Sequence, residues 1–245
     1  FISRRQCNQV DAIVAPSQPM LHVLREYGIT TKGEVVPTGL QAHSFAGADG
    51  SAFRDKHDIA QDRPMALFVG RVAFEKNIGF LLQMWVHLIK KIPNALLVVA
   101  GEGPAEASLH ALSKKLGLEE HVKFLGYLDR NTELNDCYRS ADVFVFSSKS
   151  ETQGLVLLEA MAQGTPVVAI AELGTKSILV EGEGALIAPD EEIEFANKVE
   201  RVLSDKKLRK QLSDTGLRYV KTHWTDRAQA VRMIDFYKEV IDLNK

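Results

Sequence analysis

The chain has 245 residues, of which 45% are hydrophobic and 25% charged, and its formal net charge is −2. This length and apolar content suffice for a globular core of one or two domains. The small net charge gives no electrostatic basis for binding nucleic acid, which normally requires a strong basic excess. Cys7 and Cys137 stand in no metal or redox spacing, so they predict neither a disulfide framework nor a zinc site. No apolar run approaches the ~20 residues of a membrane span, and we expect a soluble protein in a reducing compartment.

The amino-terminal residues are typical of the end of a domain. Residues 1–11 predict a helix that runs directly into Ala12-Ile-Val-Ala, which has the pattern of a buried strand with no partner before it. A parallel strand needs neighbours to pair its backbone groups. We therefore expect residues 1–36 to close a domain whose other strands lie elsewhere, and residues 37–61 to form a linker with one short helix.

From Arg63 onward the chain alternates between short apolar runs and segments of helical periodicity, which predicts an α/β fold with a doubly wound parallel sheet. A helical tail follows. The predicted strands lie near 65–69, 95–100, 122–125, 143–146, 166–170 and 185–187. The predicted helices are 78–91, 105–116, 131–140, 191–203, 208–220 and 226–243.

The segment from Ser147 to Ala169 predicts a ligand site, because a polar loop opens a helix between two buried strands. Such a loop lies at the carboxyl edge of a parallel sheet, where open α/β sheets bind ligands. The first backbone amides of the helix have no intrahelical acceptor and favour an anionic group such as phosphate. Gly154 permits close approach of that group to the amides of Leu155 and Val156.

Two carboxylates and two cations lie in or near this predicted edge. Glu151 is in the loop and Glu159 is eight residues later in the helix, where it could accept hydrogen bonds from a ribose diol. Arg71 and Lys76 follow the first strand of the sheet after Gly70, and could flank a diphosphate. The alternative is that these four side chains are ordinary surface charges.

Gly101-Glu-Gly-Pro104 follows a strand and has the G-x-G spacing of a dinucleotide fingerprint, but the third glycine is missing because position 106 is Glu. This argues against a nicotinamide dehydrogenase. The two glycines are better interpreted as shaping the turn.

Several motifs together resemble family 4 (group 1) retaining glycosyltransferases of the GT-B fold. The stretch from Glu151 to Glu159, followed by Ala160-Met-Ala-Gln-Gly-Thr-Pro-Val-Val, is similar to the E-x7-E signature of that family. Leu67-Phe-Val-Gly-Arg-Val-Ala-Phe-Glu-Lys-Asn77 is similar to its strand followed by G-R-x4-K-[GN]. The resemblance covers roughly residues 60–243, and it implies a carboxyl-terminal, Rossmann-like, donor-binding domain.

The resemblance implies a role for each site residue. Arg71 and Lys76 would hold the donor diphosphate, Glu151 the donor-sugar hydroxyls and Glu159 the ribose. Gly126-Tyr-Leu128 would meet the nucleobase. No cofactor other than the nucleotide-sugar donor is implied, and no metal, since the chain contains no D-x-D.

The resemblance also implies a domain division, with 1–36 closing an amino-terminal acceptor domain, 37–61 linking it, 62–222 binding the nucleotide sugar, and 223–245 returning to the acceptor domain. We expect a hexosyltransferase that is incomplete in this chain. The acceptor would be a sugar, a lipid or a polysaccharide. We expect a cytoplasmic location. The acceptor domain could also make peripheral contact with the inner face of the membrane. A nucleotide-sugar epimerase or hydrolase of related fold and a non-catalytic nucleotide-sugar-binding module are the alternatives.

Overall fold

The computed structural model describes residues 2–243, with side chains from Arg4 onward. The first elements are α1 (Ile2–Cys7), β1 (Ile13–Ala15), α2 (Gln18–Glu26) and β2 (Gly33–Val35). β1 pairs in parallel with β2, so it has a partner within the chain. β2 was not predicted, because three residues that include a glycine and a glutamate carry no strand pattern. The predicted burial of β1 is also only partly confirmed, since Val14 is 38% exposed.

A parallel sheet of six strands forms the centre of the molecule. Its strands are β3 (Met65–Val69), β4 (Leu96–Ala100), β5 (Val122–Gly126), β6 (Val143–Phe146), β7 (Val167–Ala169) and β8 (Ala185–Ile187). The spatial order is β5-β4-β3-β6-β7-β8. β3, β4 and β6 are buried along their whole length, as expected when helices cover both faces of a parallel sheet. The predicted doubly wound α/β fold is confirmed.

The strand order creates a crevice. From β3 the chain moves outward to β4 and β5, then crosses back to β6 on the other side of β3. The connections leaving the carboxyl ends of β3 and β6 therefore run in opposite directions, and open α/β sheets bind their ligands in the gap between them. The loops after β3 and β6 contain Arg71, Lys76 and Glu151.

The helices also follow the predicted pattern, with differences at their ends. They are α3 (Gly50–Lys56), α4 (Ile78–Leu88), α5 (Glu106–Lys115), α6 (Leu134–Ser140), α7 (Leu155–Ala162), α8 (Glu192–Ser204), α9 (Lys206–His223) and α10 (Asp226–Leu243). α6 begins later than predicted because the Asp129 carboxylate accepts hydrogen bonds from the amides of Asn131 and Thr132 and holds them in a turn. α9 begins two residues earlier than predicted because Asp205 caps its first amides. Within residues 2–243, no helix has the length and apolar character needed to span a membrane.

Candidate functional site

The largest part of the crevice lies between the carboxyl ends of β3 and β6 and has a volume of about 560 Å³. It contains most of the residues that the sequence assigned to phosphate and sugar binding. Its walls include Gly70, Arg71, Lys76, Glu151, Gly154, Leu155 and Val156. The topology thus brings together side chains from two loops that are 75 residues apart in sequence.

A second crevice of about 370 Å³ shares Val69, Gly70 and Arg71 with the first and extends toward β4 and β5. It is lined by Tyr127 and Leu128, for which the family resemblance implies contact with the nucleobase. Tyr127 is exposed, and its amide donates to the Glu102 carboxylate at 3.3 Å. Gly126 ends β5 with a φ of +69°, a conformation that favours glycine, and turns the chain into this crevice. The two crevices together form one elongated groove.

Gly101 allows the loops after β3 and β4 to touch through their backbones. A Cβ atom on Gly101 would lie 1.9 Å from the carbonyl oxygen of Gly70, so no other residue fits. The amide of Gly70 donates to the Ala100 carbonyl at 3.0 Å, and that of Val72 donates to the Glu102 carbonyl at 2.9 Å. The interpretation that these glycines shape the turn is therefore confirmed.

Each of the two predicted cations pairs with a carboxylate. Lys76 pairs with Glu151, and both side chains are mostly buried. Arg71 pairs with Glu75, and the Arg71 side chain is 63% exposed. An exposed ion pair stabilises a fold by only about 0–1 kcal/mol. An incoming anion therefore has little to displace at Arg71.

Two buried serines fix the loop that carries these cations. The Ser147 hydroxyl, at the end of β6, donates to the carbonyl oxygen of Asn77 at 2.9 Å. The Ser148 hydroxyl donates to the carbonyl oxygen of Glu75 at 3.3 Å. Both serines are fully buried. The loop after β3 is thus attached directly to β6, which sets the distance between Lys76 and Glu151.

The loop before α7 is also attached on its other side. The Gln153 side chain accepts from the Thr38 amide at 2.9 Å and donates to the Thr38 carbonyl at 2.7 Å. The Ser17 hydroxyl donates to the Thr152 carbonyl at 2.8 Å. Gly154 then starts α7 with a φ of +92°. These bonds link the candidate site to residues 17 and 38, far earlier in the chain.

Glu159 lies on α7 and is only 5% exposed, so the alternative of a solvated helix position is wrong. Its carboxylate accepts from Nη1 of Arg130 at 2.8 Å and from the Tyr138 hydroxyl at 2.8 Å. Burial, followed by the nearby charge of Glu159, raises the pKa of the Tyr138 hydroxyl well above its usual value. Tyr138 therefore stays protonated and donates.

Residues 49–218 match the family described as glycosyl transferases group 1. The chain belongs to this family. It is 32% identical over 174 residues to the α-monoglucosyldiacylglycerol synthase of Streptococcus pneumoniae, an alignment that covers 69% of this chain and 39% of that protein. The chain spans 35–57% of the length of the curated relatives that it matches.

Solved structures of glycosyltransferases share the fold. The sucrose-phosphate synthase of Thermosynechococcus elongatus has a TM-score of 0.86 at 26% identity, over 99% of this chain and 61% of that one. Anabaena HepE in complex with UDP-glucose has a TM-score of 0.87 at 20% identity, over 97% of this chain and 66% of that one. The GT-B architecture expected from the resemblance is confirmed.

Sequence reasoning missed three residues that contact the candidate site residues: Glu75, Arg130 and Tyr138. It also missed the bonds of Gln153, which lines the first crevice and pairs with Thr38. Arg130 follows a strand of the sheet at its carboxyl edge, as Arg71 does, so the same rule could have found it. Tyr138 lies on α6 and is fully buried. The hydrogen bond from its hydroxyl to Glu159 has no signal in the sequence.

Among residues 2–243, no cluster of three or more His, Cys, Asp or Glu side chains could hold a metal ion. The pKa of the buried Cys137 thiol is raised, chiefly by burial, so this cysteine has the character of a packing residue.

Proposed function

We propose that this chain binds the nucleotide-diphosphate sugar of a metal-independent, retaining hexosyltransferase. One observation carries the proposal. Arg71, Lys76 and the first turn of α7 line a groove at the switch point of the sheet, and the buried carboxylate of Glu159 is reached from the same groove through Arg130. Cations for a diphosphate and a slot for a base lie along the groove, and Glu159 is joined to it by its bond to Arg130.

The diphosphate would lie in the first crevice. Arg71 and Lys76 would each contribute roughly 1.5–3 kcal/mol through charge-assisted hydrogen bonds. The amides of Gly154 to Val156 would add donors at the positive end of α7. These groups would also stabilise the negative charge that develops on the departing diphosphate, which is usually the largest catalytic contribution.

Glu151 would bind hydroxyl groups of the donor sugar. Its carboxylate is held at the wall of the first crevice by Lys76. The resemblance implies attack on the same face that the leaving phosphate vacates, with no covalent intermediate. A role for Glu151 as a nucleophile remains the alternative.

The nucleoside would occupy the second crevice. Glu159 would accept from the ribose, and the backbone of Gly126, Tyr127 and Leu128 would meet the base. Glu102, which holds the amide of Tyr127, would fix the position of that backbone.

The acceptor, a sugar, lipid or polysaccharide, would bind to residues outside 62–222. We propose that 1–36 belong to an acceptor domain, 37–61 link it to the donor domain, and 223–245 return to it. Two-substrate positioning can lower a barrier by ~7–11 kcal/mol. We therefore expect the 245-residue chain alone to bind donor without transferring sugar. Contact with the inner face of the membrane would come through the acceptor domain.

Isothermal titration calorimetry with UDP, GDP and ADP tests the proposal. We expect one of the three to bind with one-to-one stoichiometry. The Arg71→Gln/Lys76→Gln double variant should weaken that binding at least 100-fold, since two charged contacts are lost. The exposed Arg218→Gln on α9 serves as the control and should bind as the wild type does. If none of the nucleotides binds, the proposal fails.

A product assay separates the alternatives. An epimerase or hydrolase would convert UDP-glucose without any acceptor. A non-catalytic module would bind it and leave it unchanged even when the longer protein and an acceptor are present. A transferase predicts sugar transfer only with the acceptor domain and an acceptor.

A further inference from the structure

The second crevice contains a cation that the proposed chemistry has not used. Arg130 lines it, and the Arg130 side chain is 57% exposed, yet its Nη1 reaches inward to a Glu159 carboxylate whose side chain is only 6% exposed. A buried carboxylate is stable only when it is paired and hydrogen-bonded. Arg130 is the cation that pairs with Glu159 at this depth.

The loop that carries Arg130 is held in place independently of Glu159. The Asp129 carboxylate accepts from the amides of Asn131 and Thr132 at 2.8 and 3.0 Å and from the Thr132 hydroxyl at 3.1 Å. The Asp129 carbonyl accepts from the amide of Glu133 at 3.0 Å. The hydrogen bonds from Asn131 and Thr132 lower the pKa of Asp129. Arg130 thus extends from an ordered turn.

The carboxylate of Glu159 is held at both oxygens. Arg130 donates to Oε1 and the buried Tyr138 hydroxyl to Oε2, each at 2.8 Å. Arg130 lies in the loop after β5, and Tyr138 lies on α6. Because the two donors lie on different elements, the carboxylate cannot rotate without breaking one bond. A carboxylate has about four acceptor positions. Two are used here, and the other two accept no hydrogen bond from residues 4–243.

We propose that Arg130 is a positioning residue for the ribose: with Tyr138, it holds the Glu159 carboxylate in the orientation that accepts the 2′- and 3′-hydroxyls of the bound nucleotide. This inference rests on the proposed function. Arg130 acts through Glu159, so its contribution is specific to nucleotides that carry the diol.

The alternative use of an exposed arginine in this groove is direct contact with the diphosphate, as proposed for Arg71. The two uses differ in a measurable way. A diphosphate contact contributes equally to a ribonucleotide and to its 2′,3′-dideoxy form. A contribution made through Glu159 is absent from the dideoxy form.

The experiment compares the affinities of UDP, GDP and ADP with those of their 2′,3′-dideoxy forms, using calorimetry on the wild type and on Arg130→Gln. We expect the wild type to bind the tightest ribonucleotide at least tenfold more tightly than its dideoxy form. Arg130→Gln should lower ribonucleotide affinity about tenfold, leave dideoxy affinity within about twofold, and so remove most of the preference. Arg218→Gln, an exposed arginine on α9, should keep the wild-type ratio.

A double-mutant cycle with Glu159→Gln tests whether the effect passes through the carboxylate. Arg130→Gln should have no further effect in that background, since the carboxylate is already lost. Arg130→Lys and Tyr138→Phe are the second variants if Arg130→Gln does not fold, and each should reduce the preference for the diol by a smaller factor.

Three outcomes overturn the inference. Equal losses for ribonucleotide and dideoxynucleotide on Arg130→Gln would indicate a diphosphate contact. Additive losses in the cycle would show that Arg130 does not act through Glu159. A wild type that binds a nucleotide without preferring the diol would remove the ribose role of Glu159 while leaving the proposed donor site intact. A wild type that binds no nucleotide would instead contradict the proposed function itself.

Discussion

Arg54 and Arg71 lie at opposite ends of the strands of the same sheet, and they show how differently one residue type is used. Arg54 is 6% exposed and donates to the carbonyl oxygens of Ser140, Ala60 and Arg63 at 2.8–2.9 Å and to the Asp142 carboxylate at 3.2 Å. Arg71 is mostly exposed and pairs with Glu75. A buried guanidinium that donates from all three of its nitrogens holds elements together. An exposed guanidinium with a weak partner is available for a ligand.

The largest effect on stability should follow from replacing the buried Arg54. Arg54→Met leaves the carbonyl oxygens of Ser140, Ala60 and Arg63 without this donor and removes one of the partners of the Asp142 carboxylate, which keeps the Met65 amide and Arg209. We therefore expect the free energy of unfolding to fall by about 3–5 kcal/mol. Urea denaturation measures this. The nucleotide affinity of the molecules that remain folded should stay within about twofold of the wild type.

Arg218→Met is the matched control for Arg54→Met, because Arg218 is exposed on α9. It should change the free energy of unfolding by less than about 0.5 kcal/mol. A loss below about 1 kcal/mol for Arg54→Met would mean that the buried Arg54 stabilises the fold no more than an exposed arginine does.

The site arginine should show the opposite pattern. Arg71→Gln removes an exposed ion pair, so its effect on unfolding should be within about 0.5 kcal/mol. Nucleotide affinity should fall by roughly 10- to 150-fold, which corresponds to the 1.5–3 kcal/mol of one charge-assisted contact. Calorimetry and urea denaturation of the same preparation give both values.

Glu75→Gln is the informative control for Arg71. Freeing Arg71 from its partner should leave nucleotide affinity unchanged or raise it by up to about threefold, because only a weak pair is lost. If Glu75→Gln weakened binding as much as Arg71→Gln, the pair itself would be part of the site, and the contrast with Arg54 would no longer hold.

The sheet was predictable from the sequence because its six strands are short β-branched or apolar runs separated by helical periodicity. That pattern also placed Arg71, Lys76 and Glu151 at the carboxyl edge, since topology alone brings such loops together. β2 could not be predicted, because three residues with a glycine and a glutamate contain no pattern.

The sequence could not predict which side chains of the site pair with one another. The sequence shows that Arg71 follows a strand, but it does not show that Arg54 is buried and hydrogen-bonded, since both features appear only after folding. The same holds for Tyr138, whose hydroxyl meets Glu159 from 21 residues away. The rule that located Arg71, a cation after a strand, applies to Arg130 as well, but its bond to Glu159 depends on the turn at Asp129.

Replacing Gln153 should destabilise the fold less than replacing Arg54 does, and more than replacing Arg71 does. It is 5% exposed, and its amide bonds both backbone groups of Thr38. Gln153→Leu leaves those two groups unpaired, so we expect a loss of stability of about 1–3 kcal/mol. Hydrogen exchange should accelerate at the Thr38 amide.

Gln211→Leu, on the exposed face of α9, is the control for Gln153→Leu and should leave exchange at Thr38 unchanged. If Gln153→Leu unfolds no more easily than Gln211→Leu, the link between the α7 loop and residue 38 contributes nothing to the frame. Gln153 would then serve only as part of the wall of the first crevice.

The smallest expected effect concerns metal ions. In the proposed site, Arg71 and Lys76 would supply the positive charge that a divalent cation would otherwise bring to a diphosphate, and the chain contains no D-x-D. Affinity for the nucleotide diphosphate should therefore be the same within about twofold in EDTA and in magnesium. The comparison is sharpest in the Arg71→Gln/Lys76→Gln variant. If magnesium restored binding there, the protein cations and the metal would be interchangeable. If EDTA abolished binding to the wild type and magnesium restored it, Arg71 and Lys76 would not hold the diphosphate by themselves, and an exposed, weakly paired arginine at this edge would no longer indicate the ligand site.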